Sequence, residues 1–128
     1  MSTYPNFRGR TKRGKFIHGD LLHDEQGAEF IAYWDHGTRY EVAVTDADPY
    51  TGMTDRHGFP IYAYDYIYEG TMVGLVVYCP QFASFCIDCK DDDTLLDFES
   101  YYSKKFEVMG NIYDDDLDDL RRACGLTD

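Results

Sequence analysis

The sequence predicts a mainly β protein, and three features carry that expectation. Aromatic residues make up 16% of the chain, with twelve tyrosines, and aromatic and β-branched residues fit the pleated surface of a sheet. The apolar runs are short and several alternate with polar residues on a period of two. Clusters of Gly, Pro, Asp and Asn interrupt them at the close spacing of hairpin-connected strands. At 128 residues with 44% hydrophobic side chains, the chain has the length of one ordinary domain and enough apolar material for a packed core. The expected organisation is one domain over 1–128, with a basic leader at 1–15, a β-rich body at 16–113 and a short acidic helix at 114–124.

The elements follow in chain order. Residues 16–22 read as a first strand, with Gly14 and Gly19 allowing a bend or bulge. Residues 29–34 (EFIAYW) are rich in strand formers, Asp35-His36-Gly37-Thr38 forms a turn, and 39–45 (RYEVAVT) alternates as a half-buried strand. The stretch 46–60 reads as turn chemistry, because it holds Asp46, Asp48-Pro49, Gly52, Asp55, Gly58 and Pro60. Residues 61–69 and 72–79 read as strands joined at Gly70-Thr71, the second being the most buried. Pro80 ends it, since proline has no N–H to give a ladder. Residues 82–87 return antiparallel, 88–94 form a charged loop, and 95–105 fit either a short helix or an irregular connection. Residues 106–113 read as a last strand. Asp114 is then the expected N-cap of a helix whose Asp115, Asp116 and Asp118 suit the positive end of its dipole. Leu117 and Leu120 share a face, and Gly125 is placed as a C-terminal cap.

Three stretches, in order, carry a family resemblance. Phe7-Arg8-Gly9-Arg10 and 14–21 (GKFIHGDL) are similar to an opening "FRGK…GxWVYGDL". Residues 50–67 (YTGMTDRHGFPIYAYDYI) are similar to "YTGLKDKNGKEIYEGDIV", and 106–114 (FEVMGNIYD) to "LEVIGNIYEN". Together they resemble the YopX family of phage and prophage proteins from about Phe7 to Leu120. Two departures stand out: Ala63-Tyr64-Asp65 replaces the "EGD" step, so a turn needing Gly there must be built otherwise, and Phe16 stands where Trp is common. The resemblance implies a small, mostly β domain with a barrel like an SH3 fold, to which the residues themselves add the short C-terminal helix, together with a tendency to self-associate and no catalytic residues to carry over. The motif residues also have a physical reading as fold maintenance. Gly52 and Gly58 suit positive φ, Gly110-Asn111 suits a bulge, and Tyr50, Tyr62 and Tyr113 pack a ring while tying a loop.

Charge narrows the function classes. The net charge is −12, yet up to Phe16 there are five bases and no acid, leaving −17 on the remainder. Such a body repels nucleic acid and anionic membrane. That argues against direct nucleic-acid binding even though the leader could meet phosphates. No apolar run approaches a membrane span, and none in the first twenty residues suits a signal peptide, so the expected location is the cytoplasm, with reduced thiols; the resemblance implies that this is the cytoplasm of a host bacterial cell.

Candidate chemistry is sparse. Cys79, Cys86 and Cys89 form C-x6-C-x2-C, half of a zinc pattern without a second half, and the expectation is buried or loop thiols with no metal and no cofactor. His18, His23, His36 and His57 are scattered and assemble no nucleophile–base pair by spacing. An EF-hand beginning at Asp114 would need Gly at its sixth position and Glu at its twelfth, where Asp119 and Gly125 stand. The expected role is therefore a non-enzymatic accessory protein that inhibits a host factor, such as a nucleic-acid-handling defence protein. Its carboxylates (Asp91, Asp92, Asp93, Asp97, Glu99, Asp114, Asp115, Asp116, Asp118 and Asp119) would occupy a groove built for phosphates. Two alternatives remain open: a self-assembling homo-oligomeric module, and a sponge for a small nucleotide signal. In the first, Arg8, Arg10, Lys12 and Arg13 would make intersubunit contacts; in the second, the same residues would hold phosphates.

Overall fold

The computed structural model describes residues 4–89, 94–97 and 105–126. Mainly β structure is what these residues form, in antiparallel sheets with one short helix near the C-terminus. The chain divides into two compact units, 1–50 and 51–128.

The first unit is built on hairpins. β1 (Phe7–Arg10), β2 (Phe16–His23), β3 (Glu29–Asp35) and β4 (Thr38–Val44) pair in sequence, and the first part of β5 (Ala47–Thr54) adds to the other side of β1. The β1–β2 hairpin closes through Gly14 N–H to the Thr11 carbonyl at 2.9 Å and Thr11 N–H to the Lys15 carbonyl at 2.9 Å. Gly14 takes φ +80°, the left-handed position that follows a tight turn in a three-residue hairpin loop. Ile31, Ala32 and Val44 are its buried apolar residues, a small core for a sheet of this width.

A buried ion pair compensates. Arg8 on β1 faces Asp48 on β5 in register, and Arg8 Nε donates to Asp48 Oδ2 at 3.0 Å with both side chains almost fully enclosed. The Arg8 guanidinium also lies 4.4 Å from the centre of the Phe16 ring, and that of Arg10 lies 5.2 Å from it. This corrects two expectations. Residues 7–10 are not part of a leader but an interior strand, because Asp48 neutralises Arg8 from forty residues away. Residues 46–60 are not all turn, because Asp48-Pro49 and Gly52 sit within β5.

In the second unit the latter part of β5 turns through residues 55–59 into β6 (Pro60–Tyr62). A five-stranded sheet follows in the order β10-β9-β8-β7-β11, made of β7 (Asp65–Tyr68), β8 (Val73–Cys79), β9 (Ser84–Cys89), β10 (Thr94–Asp97) and β11 (Glu107–Asn111). β8 is buried on both faces from Val73 to Val76, as its near-continuous Val-rich run predicts, while Tyr78 near its end is exposed. Val76 joins Ile61, Ile67, Ile87, Cys89 and Phe106 in one cluster. Val73 and Leu75 join Tyr66 in another, covered by Leu117, Leu120 and Cys124 of the C-terminal segment. Both sheets are open in strand order, with no closed barrel among the described residues.

The helix α1 (Leu117–Ala123) starts later than expected. Asp116, not Asp114, is its cap, accepting from the N–H groups of Asp118 and Asp119. Asp114 is engaged one turn earlier by the Asn111 side-chain amide at 3.1 Å. Gly125 at φ +76° and the Leu126 N–H bond to the Arg121 carbonyl end the helix.

Tyr64 occupies the turn where the resembled motif has Gly, and it takes a left-handed φ of +69°. Its neighbours hold it there: Tyr64 N–H donates to the Val76 carbonyl at 2.8 Å, and Ile112 N–H to the Tyr64 carbonyl at 3.0 Å. A left-handed non-glycine residue costs about 1–2 kcal/mol.

Two stability predictions follow. Tyr64→Gly is expected to leave urea-monitored stability unchanged or raise it by up to about 1 kcal/mol, whereas a loss of 2 kcal/mol or more would show that the ring contributes more than the backbone strain costs. Asp48→Ala should destabilise by about 3–5 kcal/mol, and pairing it with Arg8→Met should recover part of that loss, because the first change strands a buried charge and the second removes it. A double variant no more stable than Asp48→Ala would rule out charge burial as the cause.

Candidate functional site

The expected acidic surface is placed only in part. Asp91, Asp92, Asp93 and Glu99 lie outside the described residues, and Asp97 ends strand β10. The carboxylates from Asp114 to Asp119 lie on one turn and the first helical turn after it, and they divide by task. Asn111 Oδ1 accepts from the N–H groups of Tyr113 and Asp114 at 2.9 and 3.0 Å, shaping the turn. Asp115 Oδ2 accepts from Asn111 N–H at 3.0 Å. A Cβ on Gly110 would collide with that same carboxylate, and the β11–β7 register shifts between Val108 and Gly110. Gly110 is thus required by close approach, and the register shift falls where the sequence suggests a bulge or kink. Asp116 caps the helix and Asp119 pairs with Arg122. Asp114, Asp116, Asp118 and Asp119 are exposed, as is Ile112 beside them.

The other motif region is equally occupied by structure. Asp55 is buried; its Oδ1 accepts from His57 and Phe59 N–H groups, each at 2.9 Å, and its Oδ2 from Val108 N–H at 3.1 Å. One carboxylate thereby joins the β5–β6 turn to β11. Gly52 and Gly58 take φ +87° and +86°, as the motif reading expects. Asp65 Oδ2 accepts from Tyr62 N–H at 2.9 Å. At the surface of this region His57 Nε2 lies 2.8 Å from Glu107 Oε1, and Arg56 lies 3.3 Å from its other oxygen. The His57 hydrogen bond first, and the Arg56 charge after it, hold the Glu107 carboxyl below its ordinary value.

The basic residues separate into two groups. Arg8 is consumed by Asp48, and Arg10 packs over Phe16. Lys12 and Arg13 instead project from the β1–β2 turn. Together with Thr11, Lys15, Val42 and Ala43 they line a groove of about 530 Å³. Lys15 and the two β4 residues were not among the expected contacts, because their proximity depends on strand pairing across some thirty residues of sequence. The available signal was the density of cations around Gly14.

Cys79, Cys86 and Cys89 are buried, and Cys86 and Cys89 are three apart in β9, so their side chains point to opposite faces. Cys89 Sγ lies 3.2 Å from Met72 Sδ, inside the apolar cluster. Burial first, and Glu107 second, push the Cys124 thiol up. Among the described residues no group of three or more His, Cys, Asp or Glu side chains has the arrangement of a metal site. No described helix is long and apolar enough to cross a membrane.

No family model matches the chain, and no curated protein matches it.

His18 opposes Arg8 across the β1–β2 ladder. Desolvation first, and the Arg8 charge second, lower its pKa from 6.5. Above that value the imidazole is neutral in both states. As pH falls below it the unfolded chain takes the proton first, so stability should decline until the folded-state value is passed. His18→Gln should flatten the decline in urea midpoint between about pH 7 and pH 5; an unaltered slope would assign the dependence to other groups.

Proposed function

We propose that this chain is a non-catalytic accessory binding protein of phage or prophage origin, like the YopX family, that inhibits a host nucleic-acid-handling defence protein through carboxylates of its second unit. The observation that carries this reading is the fixed acidic turn. Asn111, Asp115 and Asp116 hold its backbone, so the exposed Asp114, Asp118 and Asp119 carboxylates are displayed beside Ile112 at little ordering cost. Residues 51–128 carry sixteen acids against six bases, a balance that steers association toward a cationic groove. The motif glycines and carboxylates serve the fold, which agrees with a scaffold whose function lies in its outward-facing side chains rather than in a reaction centre.

The test is affinity capture from a bacterial host lysate, read by mass spectrometry, with the wild-type chain and with D118K/D119K. These two side chains lie outside the bonds that shape the turn. The expected result is a stoichiometric nucleic-acid-binding host protein whose recovery falls at least about tenfold with the variant. Undiminished recovery by the charge-reversed chain would sink the proposal.

A second reading is self-assembly, favoured by β4. It ends its sheet, most of its residues are exposed, and Tyr40 on it is 44% exposed. Strand edges of this kind pair with other copies.

A further inference from the structure

β4 is an edge strand without the usual guards against further pairing. It ends its sheet, it pairs with β3 residue by residue from Thr38 to Val44 without a bulge, and it holds neither Pro nor Gly. Among the described residues no backbone hydrogen bond reaches its outer side. The hairpin turn fixes which groups face that way. His36 and Gly37 take φ +50° and +80°, as a two-residue type I′ loop requires, so Asp35 and Thr38 form its hydrogen-bonded closing pair. Alternation along an antiparallel ladder then gives the N–H and C=O groups of Thr38, Tyr40 and Val42 to β3, and turns those of Arg39, Glu41 and Ala43 outward.

We propose that this edge takes the β4 strand of a second copy of this chain, antiparallel, in the register centred on Tyr40. The inference rests on the self-assembly reading and adds to it the strand, its direction and its register. Only Arg39, Glu41 and Ala43 can exchange backbone bonds across the new ladder, which leaves few registers. Centring on Arg39 sets that cation against itself, and centring on Glu41 does the same for the carboxylate; like charges directly opposite are destabilising. Centring on Val42 sets Glu41 against Ala43 and Arg39 against Thr45. Centring on Tyr40 sets Arg39 against Glu41 of the second copy and Glu41 against Arg39 of the second copy. The two side chains already meet within one strand at 2.9 Å, so both lie on the face where the new pairs would form. On the other face this register extends the stacked Tyr33–Tyr40 pair, whose rings lie 5.4 Å apart, into a row of tyrosines across the two-fold axis. An unrelated extended peptide could use the same backbone groups, but the order Arg-Tyr-Glu is its own antiparallel complement, which favours a second copy. One strand pair covers less than the roughly 1,200 Å² of a standard interface, so the dimer is weak, dissociating at about 10–500 μM.

The experiment is sedimentation equilibrium of the full chain from about 5 μM to about 1 mM, comparing wild type with R39E, E41R and R39E/E41R. Matching melting curves establish that each is folded. The expected result is a monomer–dimer equilibrium that each single change weakens at least about tenfold and the double change restores, because the exchanged charges again oppose one another. The register is read separately by oxidation of Y40C and V42C, each combined with C124S to remove the one thiol among the cysteines that is not buried. Y40C alone should link two chains, since only position 40 faces itself across the axis. A chain still monomeric at about 1 mM overturns the pairing and the self-assembly reading together. Dimers indifferent to both single charge changes, no recovery in the double variant, or any cross-linking pattern other than Y40C alone overturns the pairing or its register while leaving self-assembly through another surface standing.

Discussion

A carboxylate removed from water has to be paired, and much of this structure follows from where that requirement is met. Asp48, Asp55 and Asp65 are each at most 4% exposed. Leaving such a charge unpartnered costs several kcal/mol, so each one selects the chain geometry that supplies its partners. Asp48 requires Arg8 directly across the β1–β5 ladder. A slip of one residue would turn Arg8 to the opposite face and strand both charges. Asp55 requires the N–H groups of His57, Phe59 and Val108 at once, which is possible only when the β5–β6 turn has one shape and β11 lies beside it. Apolar burial supplies most of the driving force in the second unit. The buried carboxylates restrict which of the many apolar arrangements is reached.

That division of labour bears on function. The glycines and acids that stand out most as motifs are occupied in turns, bulges and buried bonds. Gly110 exists to admit Asp115, Asn111 to shape the turn before α1, and Asp116 to cap it. Side chains left facing outward are of another kind: Lys12, Arg13 and Lys15 on one hairpin, Trp34 at 71% exposure near the end of another, and Asp118 and Asp119 on the helix. Sequence motifs therefore mark the scaffold, and the surfaces able to recognise a partner lie between them.

How far the sequence could be read follows the same line. Strands with local signatures were legible: the alternation of β4, the Val-rich β8 ended by Pro80, and the hairpin between β3 and β4. β5 was hidden because Asp-Pro and Gly look like turn chemistry, and only a partner forty residues away makes Asp48 a buried strand residue. The same missing partner made Arg8 look like part of a solvated leader. Helix α1 was legible in existence and in its Leu117–Leu120 face. Its start was misplaced by two residues because Asp114 and Asp116 are equivalent as caps until Asn111 engages the first. The candidate sites were legible as charge but not as geometry. Lys12 and Arg13 could be named, whereas Val42 and Ala43 come under them only through the pairing of three strands.

The two charged surfaces also set opposite electrostatic terms for an anionic ligand. The molecule as a whole, at −12, repels an approaching phosphate, and salt weakens that repulsion first because it acts over distances longer than a Debye length. The three cations of the hairpin attract it at contact, where screening is weaker. Raising ionic strength from a very low value thus relieves the long-range barrier before it erodes the local attraction. For a cationic macromolecular partner at the acidic turn both terms have the same sign, since the global field and the local carboxylates attract together, and salt weakens the interaction throughout. The charge asymmetry visible in the first sixteen residues is in this sense a physical device.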